Sequence, residues 1–435
     1  MSNEEQMIGK RLSKYDLALW YSSKAKGHLR EGNRLFQRFR YPECISAFGT
    51  SIEFALKAVC AFLGADYKAE HDLSKPLTHL SVKLPKYSVE LSRAAWISSR
   101  WVGANQQTRL LASYGNQDAA VPATKFIRKK DVALIKADGN EACNLLHLVE
   151  TKQRFGLPRR MGILDGYVDE EDPAEKPCEK YPLSEFKIGD WETRLSKYFD
   201  AGKPKFEIEK IPLSKVSSEY AVIVNPFGEA YPEKDVKSRF AFNHLKSYVE
   251  DGGVLVNVAG FPFFYAWDVL KGAEEPIVDE KTLVPQSVRE EGGKFYVERF
   301  MVLLNFAGSL SGRDLGIITT VDTPQMSGVN ELEVFQEEED RKIAGDLVNI
   351  GGQNKVHEFR AIRKDATKEA IPLLRAKRPD VGEVLPIAAV RRGYGYLIVG
   401  GMNTKSASEF EKLATAVDNF CDWLLNSSSL IPEPL

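Results

Sequence analysis

The chain has 435 residues, with 59 Lys and Arg against 61 Asp and Glu and a formal charge of −2. That length exceeds one ordinary core and suits two domains. The five cysteines (Cys44, Cys60, Cys143, Cys178, Cys421) are scattered and lack CxxC or Cys/His ligand spacing, which argues against a disulfide framework or a zinc site. The start, MSNEEQMIGKRLSKYD, lacks an apolar core, and no run of about eighteen apolar residues is read, so a cytoplasmic location without a membrane span is expected. The small net charge hides an asymmetry: residues 1–160 carry 26 Lys and Arg against 15 Asp and Glu, and the remainder carries 33 against 46. A basic unit is joined to an acidic one.

From Tyr15 to Glu150 apolar residues recur at helical spacing, which predicts helices near 15–38, 41–64, 75–83, 87–113 (with a break) and 129–153. Pro42 sits where a first-turn proline is tolerated, and Gly64 is placed as a helix stop. In the second helix Ile45, Phe48, Ile52, Leu56, Val59 and Leu63 form one apolar stripe, while Glu53 and Lys57 make an i,i+4 pair on the wet side. Arg30, Arg34 and Arg38 recur every four residues along one helical face, with Arg40 beyond, and Lys125, Arg128, Lys129 and Lys130 form a second basic group. Guanidinium forks match phosphate oxygens, so these groups are candidates for binding a phosphate-bearing partner. A solvated helix face, or docking on the acidic half, would use the same residues.

The rhythm changes at Gly156–Pro158, giving domains at 1–156 and 160–435. Strand candidates RMGILDGY, KFEIEKIPL, YAVIVNPF and GVLVNVAG alternate with helical patterns at DWETRLSKYFDAG and VKSRFAFNHLKSYVEDGG, as in a doubly wound, mostly parallel, flavodoxin-like sheet. Residues 270–385 read as an insertion with weak strands near 315–321 and 355–362. VLPIAAVRRGYGYLIVGGMN then gives two strands across a glycine-bearing turn, and a terminal helix follows Ser406. Ligands of such sheets collect at the carboxyl ends of strands, so Asn225, Phe227, Gly228, Glu229 and Tyr231, then Asn257, Gly260 and Phe261, are the candidate cleft lining. No Walker motif, dinucleotide fingerprint or HExxH is present, and no cofactor or metal is expected.

Glu53, Leu56, Lys57, Ala58, Gly64, His71 and Leu73 follow an "E…LKA" helix, glycine, "H.L" pattern that resembles the HEPN family (higher eukaryotes and prokaryotes nucleotide-binding). The likeness spans about 15–153 and continues through RLLASYG, Arg109 to Gly115. It implies a helical bundle that binds nucleotide or RNA, with Lys57, His71 and Arg109 added to the basic residues above as contacts, and a homodimer through the bundle. Many members cleave RNA with an arginine followed by a histidine after four to six residues. No such pair occurs in the helical region, and Arg239 to His244 lies in the other half, so a family-type ribonuclease is not expected.

YAVIVNPFGEAYPEKD and LKSYVEDGGVLVNVAGFPFFYAWD resemble the class I glutamine amidotransferase-like superfamily, in its trehalose-utilisation-type branch. The resemblance implies a nucleophilic cysteine at the turn after the central strand, but Asn257 to Phe263 holds none. The expected function is therefore a nucleotide- or RNA-binding module coupled to a catalytically degenerate sensing or scaffold domain in RNA handling, stress or defence. The alternatives are a hydrolase using Glu229 and Asn257 at the cleft, and an assembly protein whose basic and acidic domains dock.

Overall fold

The computed structural model describes residues 14–65, 71–102, 122–125, 127–172, 188–196, 198–199, 203–228, 230–234, 240–259, 262, 265–268, 273–276, 288–291, 294–297, 330–358, 361–364, 370–379, 382–402 and 406–426. Arg109, Cys178, Glu229, Gly260 and Phe261 lie outside the described residues, as does the strand expected at 315–321. The chain divides into two compact units, with the change at Gln153 to Arg154.

The first unit is helical: α1 (Lys14–Gln37), α2 (Tyr41–Phe62), α3 (Ser74–Lys83), α4 (Ser88–Trp101) and α5 (Lys129–Arg154). Its core gathers around α2, whose Ile45, Phe48, Ile52, Leu56 and Val59 are fully buried among Ala25 and Leu29 of α1, Leu91 of α4 and Ile135 and Leu146 of α5. A Cβ on Gly32 would meet the Phe48 ring at 2.7 Å, so α1 and α2 touch where only glycine fits. Gly64, at φ +68°, ends α2: its N–H donates to Ala61 O (3.1 Å) and that of Ala65 to Cys60 O (2.8 Å), the pair of bonds that closes a Schellman stop. Pro42 occupies the first turn of α2, whose start has no side-chain cap. By length and composition alone α2 could cross a membrane, but 78% of that stretch is buried, as suits a core helix.

The second unit is built on a ten-stranded sheet among the described residues. Its strands are β1 (Arg159–Leu164), β2 (Phe206–Ile211), β3 (Val222–Asn225), β4 (Val254–Asn257), β5 (Asn330–Phe335), β6 (Lys355–Glu358), β7 (Ile362–Arg363), β8 (Ala370–Arg378), β9 (Gly382–Arg392) and β10 (Gly395–Gly400). The order is β6-β5-β8-β9-β10-β4-β3-β1-β2, with β7 also on β9. From β2 to β10 all neighbours run parallel, and from β10 to β6 they run antiparallel. The parallel core lies where the alternating strands and helices put it. The stretch read as an insertion does something different, because residues 330–378 supply strands to the same sheet.

Helices α6 (Ile188–Leu195), α7 (Phe240–Glu250), α8 (Glu338–Ala344) and α9 (Ala407–Asn426) complete the unit. Phe410, Leu413, Ala414, Val417 and Phe420 of α9 join the sheet core, and Trp191 of α6 meets Phe410 edge-on at 5.1 Å. The RRGYG segment is the β9–β10 hairpin turn, with Gly393 at φ +58°.

Candidate functional site

The described residues that combine charge, aromatic surface and a defined proton pattern lie along the α1–α2 seam. Helical spacing puts Glu53 and Lys57 on the wet side of α2, but the structure corrects this: their side chains are only 11% and 12% exposed. One oxygen, Glu53 Oε1, accepts hydrogen bonds from both Lys57 Nζ (2.9 Å) and His71 Nδ1 (2.7 Å). Burial pushes the Glu53 carboxyl up, yet the hydrogen bonds and charges of Lys57 and His71 outweigh it, and the group settles below the ordinary glutamate range. His71 is 75% exposed, so its other ring nitrogen faces solvent.

The His71 loop is held from behind. Asp72 Oδ1 accepts the Ser74 N–H (2.9 Å) and the Ser98 hydroxyl (3.3 Å), and Leu73 N–H donates to Ser98 Oγ (2.8 Å). Leu73 is buried in the bundle core. The "H.L" pair thus divides its work: leucine anchors the loop, and histidine reaches the buried carboxylate.

Aromatic rings flank this cluster. Tyr21 and His28 stand two turns apart on α1, and Phe54 of α2 stacks on both, with centroids 5.8 Å away in each case. Trp20, 44% exposed, meets Tyr21 and Phe54 edge-on at 5.2 and 5.7 Å. Lys24 Nζ lies 5.4 Å over the Trp20 ring and Lys57 Nζ 5.9 Å over the Tyr21 ring. Burial, helped by Lys24, holds the His28 imidazole below its usual value. Cations alternate with ring faces here, an arrangement suited to phosphates beside stacked bases. The sequence reading missed these rings; the i,i+4 spacing of Trp20 and Lys24 and the off-stripe Phe54 were the available signals.

The other predicted contacts are exposed but less exclusively basic. Arg30, Arg34 and Arg38 do share an exposed face. However, Arg34 is forked onto Glu31 (2.8 and 2.7 Å) and Arg40 onto Glu43 (3.0 and 2.7 Å), so local carboxylates interleave with the stripe. Lys129 and Lys130 are exposed in the first turn of α5.

In the second unit the predicted cleft residues turn inward. Asn225 Nδ2 donates to Asn257 Oδ1 (2.9 Å) and Asn257 Nδ2 to Ala259 O (2.7 Å), while Asn225 Oδ1 accepts the Phe227 N–H (3.4 Å). Asn225, Phe227, Tyr231 and Asn257 are all buried, and Gly228 takes φ +66° in the turn. These amides latch adjacent strand ends to each other. Sequence reasoning also missed Glu233, which is fully buried, accepts N–H groups of Ala241 (2.9 Å) and Phe242 (3.3 Å) at the start of α7, and is pushed up to about 7 by burial. Cys44, Cys60, Cys143 and Cys421 are buried, and burial raises Cys60 and Cys421 to about 12, so none of these four is an activated thiol.

No curated protein matches the chain in sequence. Among solved structures, similarity extends to a beta-galactosidase from Bacillus circulans sp. alkalophilus, at 10% identity and TM-score 0.31 over 66% of this chain and 34% of that one. It also extends to Gan42B, a GH42 beta-galactosidase, at 12% identity and TM-score 0.29 over 64% of this chain and 32% of that one. The chain spans about a third of the length of these structures, and likeness at this level assigns neither fold nor activity. A family match falls elsewhere, on the unit that carries the α1–α2 seam and the His71 loop: residues 18–126 match the HEPN domain.

Proposed function

We propose that the helical unit binds nucleotide or RNA at the α1–α2 seam, and that the sheet unit is a catalytically silent, amidotransferase-like ligand-sensing or scaffold domain. The observation that carries this is Glu53: a buried carboxylate holding Lys57 and the exposed His71 beside the Trp20, Tyr21 and Phe54 rings. Lys57, His71 and Lys24 are the phosphate-facing groups, and Trp20 the base-facing surface. The HEPN match over residues 18–126 supports a nucleotide-related role. For the second unit, the order β2-β1-β3-β4-β10 supports the doubly wound flavodoxin-like reading. Cytoplasmic work in RNA handling, stress or defence, as a homodimer through the bundle, belongs to the same proposal.

Fluorescence polarisation with a labelled single-stranded RNA tests it. Trp20→Ala and Lys57→Met should each weaken binding about tenfold, with a loss that grows with salt for the wild type. Unchanged affinity in both variants overturns the proposal, and loss only in an Arg30/Arg34/Arg38 triple alanine variant moves the site to the arginine face.

A further inference from the structure

Lys412, on the second turn of α9, is fully buried, and its side chain ends among backbone oxygens. Nζ lies 2.9 Å from Leu347 O, 3.0 Å from Val348 O, 2.9 Å from Ile350 O and 2.8 Å from Gln353 O. None of these four partners is a carboxylate. An ammonium has three hydrogens, so four carbonyls at nearly one distance form a coordination shell more than a set of directed hydrogen bonds. Rings of backbone carbonyls are also the chemistry that replaces the hydration shell of potassium.

The shell is built by a loop that is held from outside it. Gly351 and Gly352, between the acceptors Ile350 and Gln353, take the left-handed φ of +70° and +71°, and the Ser408 hydroxyl donates to Ile350 O (3.0 Å). Gln336 spans the loop's root, donating to Gly345 O (3.0 Å) and Leu373 O (2.7 Å) and accepting the Leu347 N–H (2.8 Å). Asn419 Nδ2 donates to Ala344 O (3.0 Å). These bonds do not involve Lys412. Burial lowers the Lys412 pKa below the ordinary lysine value, and Glu409, Glu411 and Asp346 oppose that shift through space.

We propose that residues 347–353 form a monovalent-cation site of the potassium and ammonium class, and that the Lys412 ammonium is its tethered, permanent occupant. A methionine at 412 keeps the apolar stem and deletes only the charged head, leaving a hole of ammonium size lined by four oxygens. Smaller sodium and lithium would require the carbonyls to close in.

The test is thermal unfolding of the full chain at constant ionic strength in potassium, ammonium, lithium or choline chloride. Wild type should melt alike in all four. Lys412→Met should melt roughly 5–15 °C lower in choline chloride and recover at least half of that loss, saturably, in potassium or ammonium. Equal melting of the variant in all four salts overturns the proposal. If Lys412→Met is recovered only insoluble, refolding from denaturant replaces melting: yield restored by potassium or ammonium alone supports the site, and failure in every salt overturns it.

Discussion

Both units contain a glutamate that holds a more exposed histidine by the same contact, Nδ1 to Oε1 at 2.7 Å, yet the two carboxyls shift in opposite directions. Glu53 shares its oxygen with Lys57, and the added cation outweighs burial, so its pKa falls. Glu409 is more deeply buried, its Oε2 has no hydrogen-bond partner, and the nearby Lys412 spends its ammonium on carbonyls, so burial wins and its pKa rises. A histidine contact alone does not set the charge of a buried carboxylate; where the next ammonium points decides it.

The largest test of this contrast is deletion. Glu53→Ala strands a half-buried ammonium and should cost about 3 kcal/mol, whereas Glu409→Gln keeps an acceptor for His357 and should change stability by less than about 1 kcal/mol. Denaturant unfolding followed by hydrogen exchange, which assigns each loss to its unit, checks the pair; equal costs would end the distinction.

The pH dependence should then separate them by sign. Glu53, with its folded value below the ordinary 4.5, contributes stability that is present above that value and is lost as pH falls. Glu409, raised above 4.5, contributes stability that is present below it and is lost as pH rises through the folded value. Relative to wild type, Glu53→Gln should therefore lose most near neutrality and little in acid, while Glu409→Gln should gain as the pH rises above 4.5. Parallel profiles for the two variants would contradict the assignment.

A smaller effect converts one glutamate into the other. With Lys57→Met, burial at Glu53 has less to oppose it, and carboxyl-selective NMR should show its titration move upward toward that of Glu409; an unmoved Glu53 would show that His71 suffices. The smallest concerns the exposed Arg34–Glu31 fork, where Arg34→Ala should leave the melting temperature unchanged within error, because solvent already screens the pair.

The helices of the first unit were legible to within about two residues where described, because a 3.6-residue period over long segments is a strong signal. The burial of Glu53 was not, because a helical wheel sees one helix, and this residue is met from outside α2 by His71 of the following loop. In the second unit the five parallel strands, β1 to β4 and β10, were read from their apolar runs. β5 and β8, NELEVF and AIPLLRAKR, escaped because acidic residues, a proline and three basic residues break their apolar pattern. Asn225 and Asn257 show a different limit: asparagines at adjacent strand ends look the same in sequence whether they await a ligand or bond to each other.

The strand β10 joins the two halves of the sheet, parallel to β4 and antiparallel to β9. Its partner β4 is about 140 residues earlier in the chain. During synthesis one edge of β4 therefore stays bare until residues 396–399 have left the ribosome, long after β1, β2 and β3 could have assembled. Chaperone demand for this protein should peak late in translation, and a stop codon placed before β10 should yield aggregates in place of a smaller stable domain.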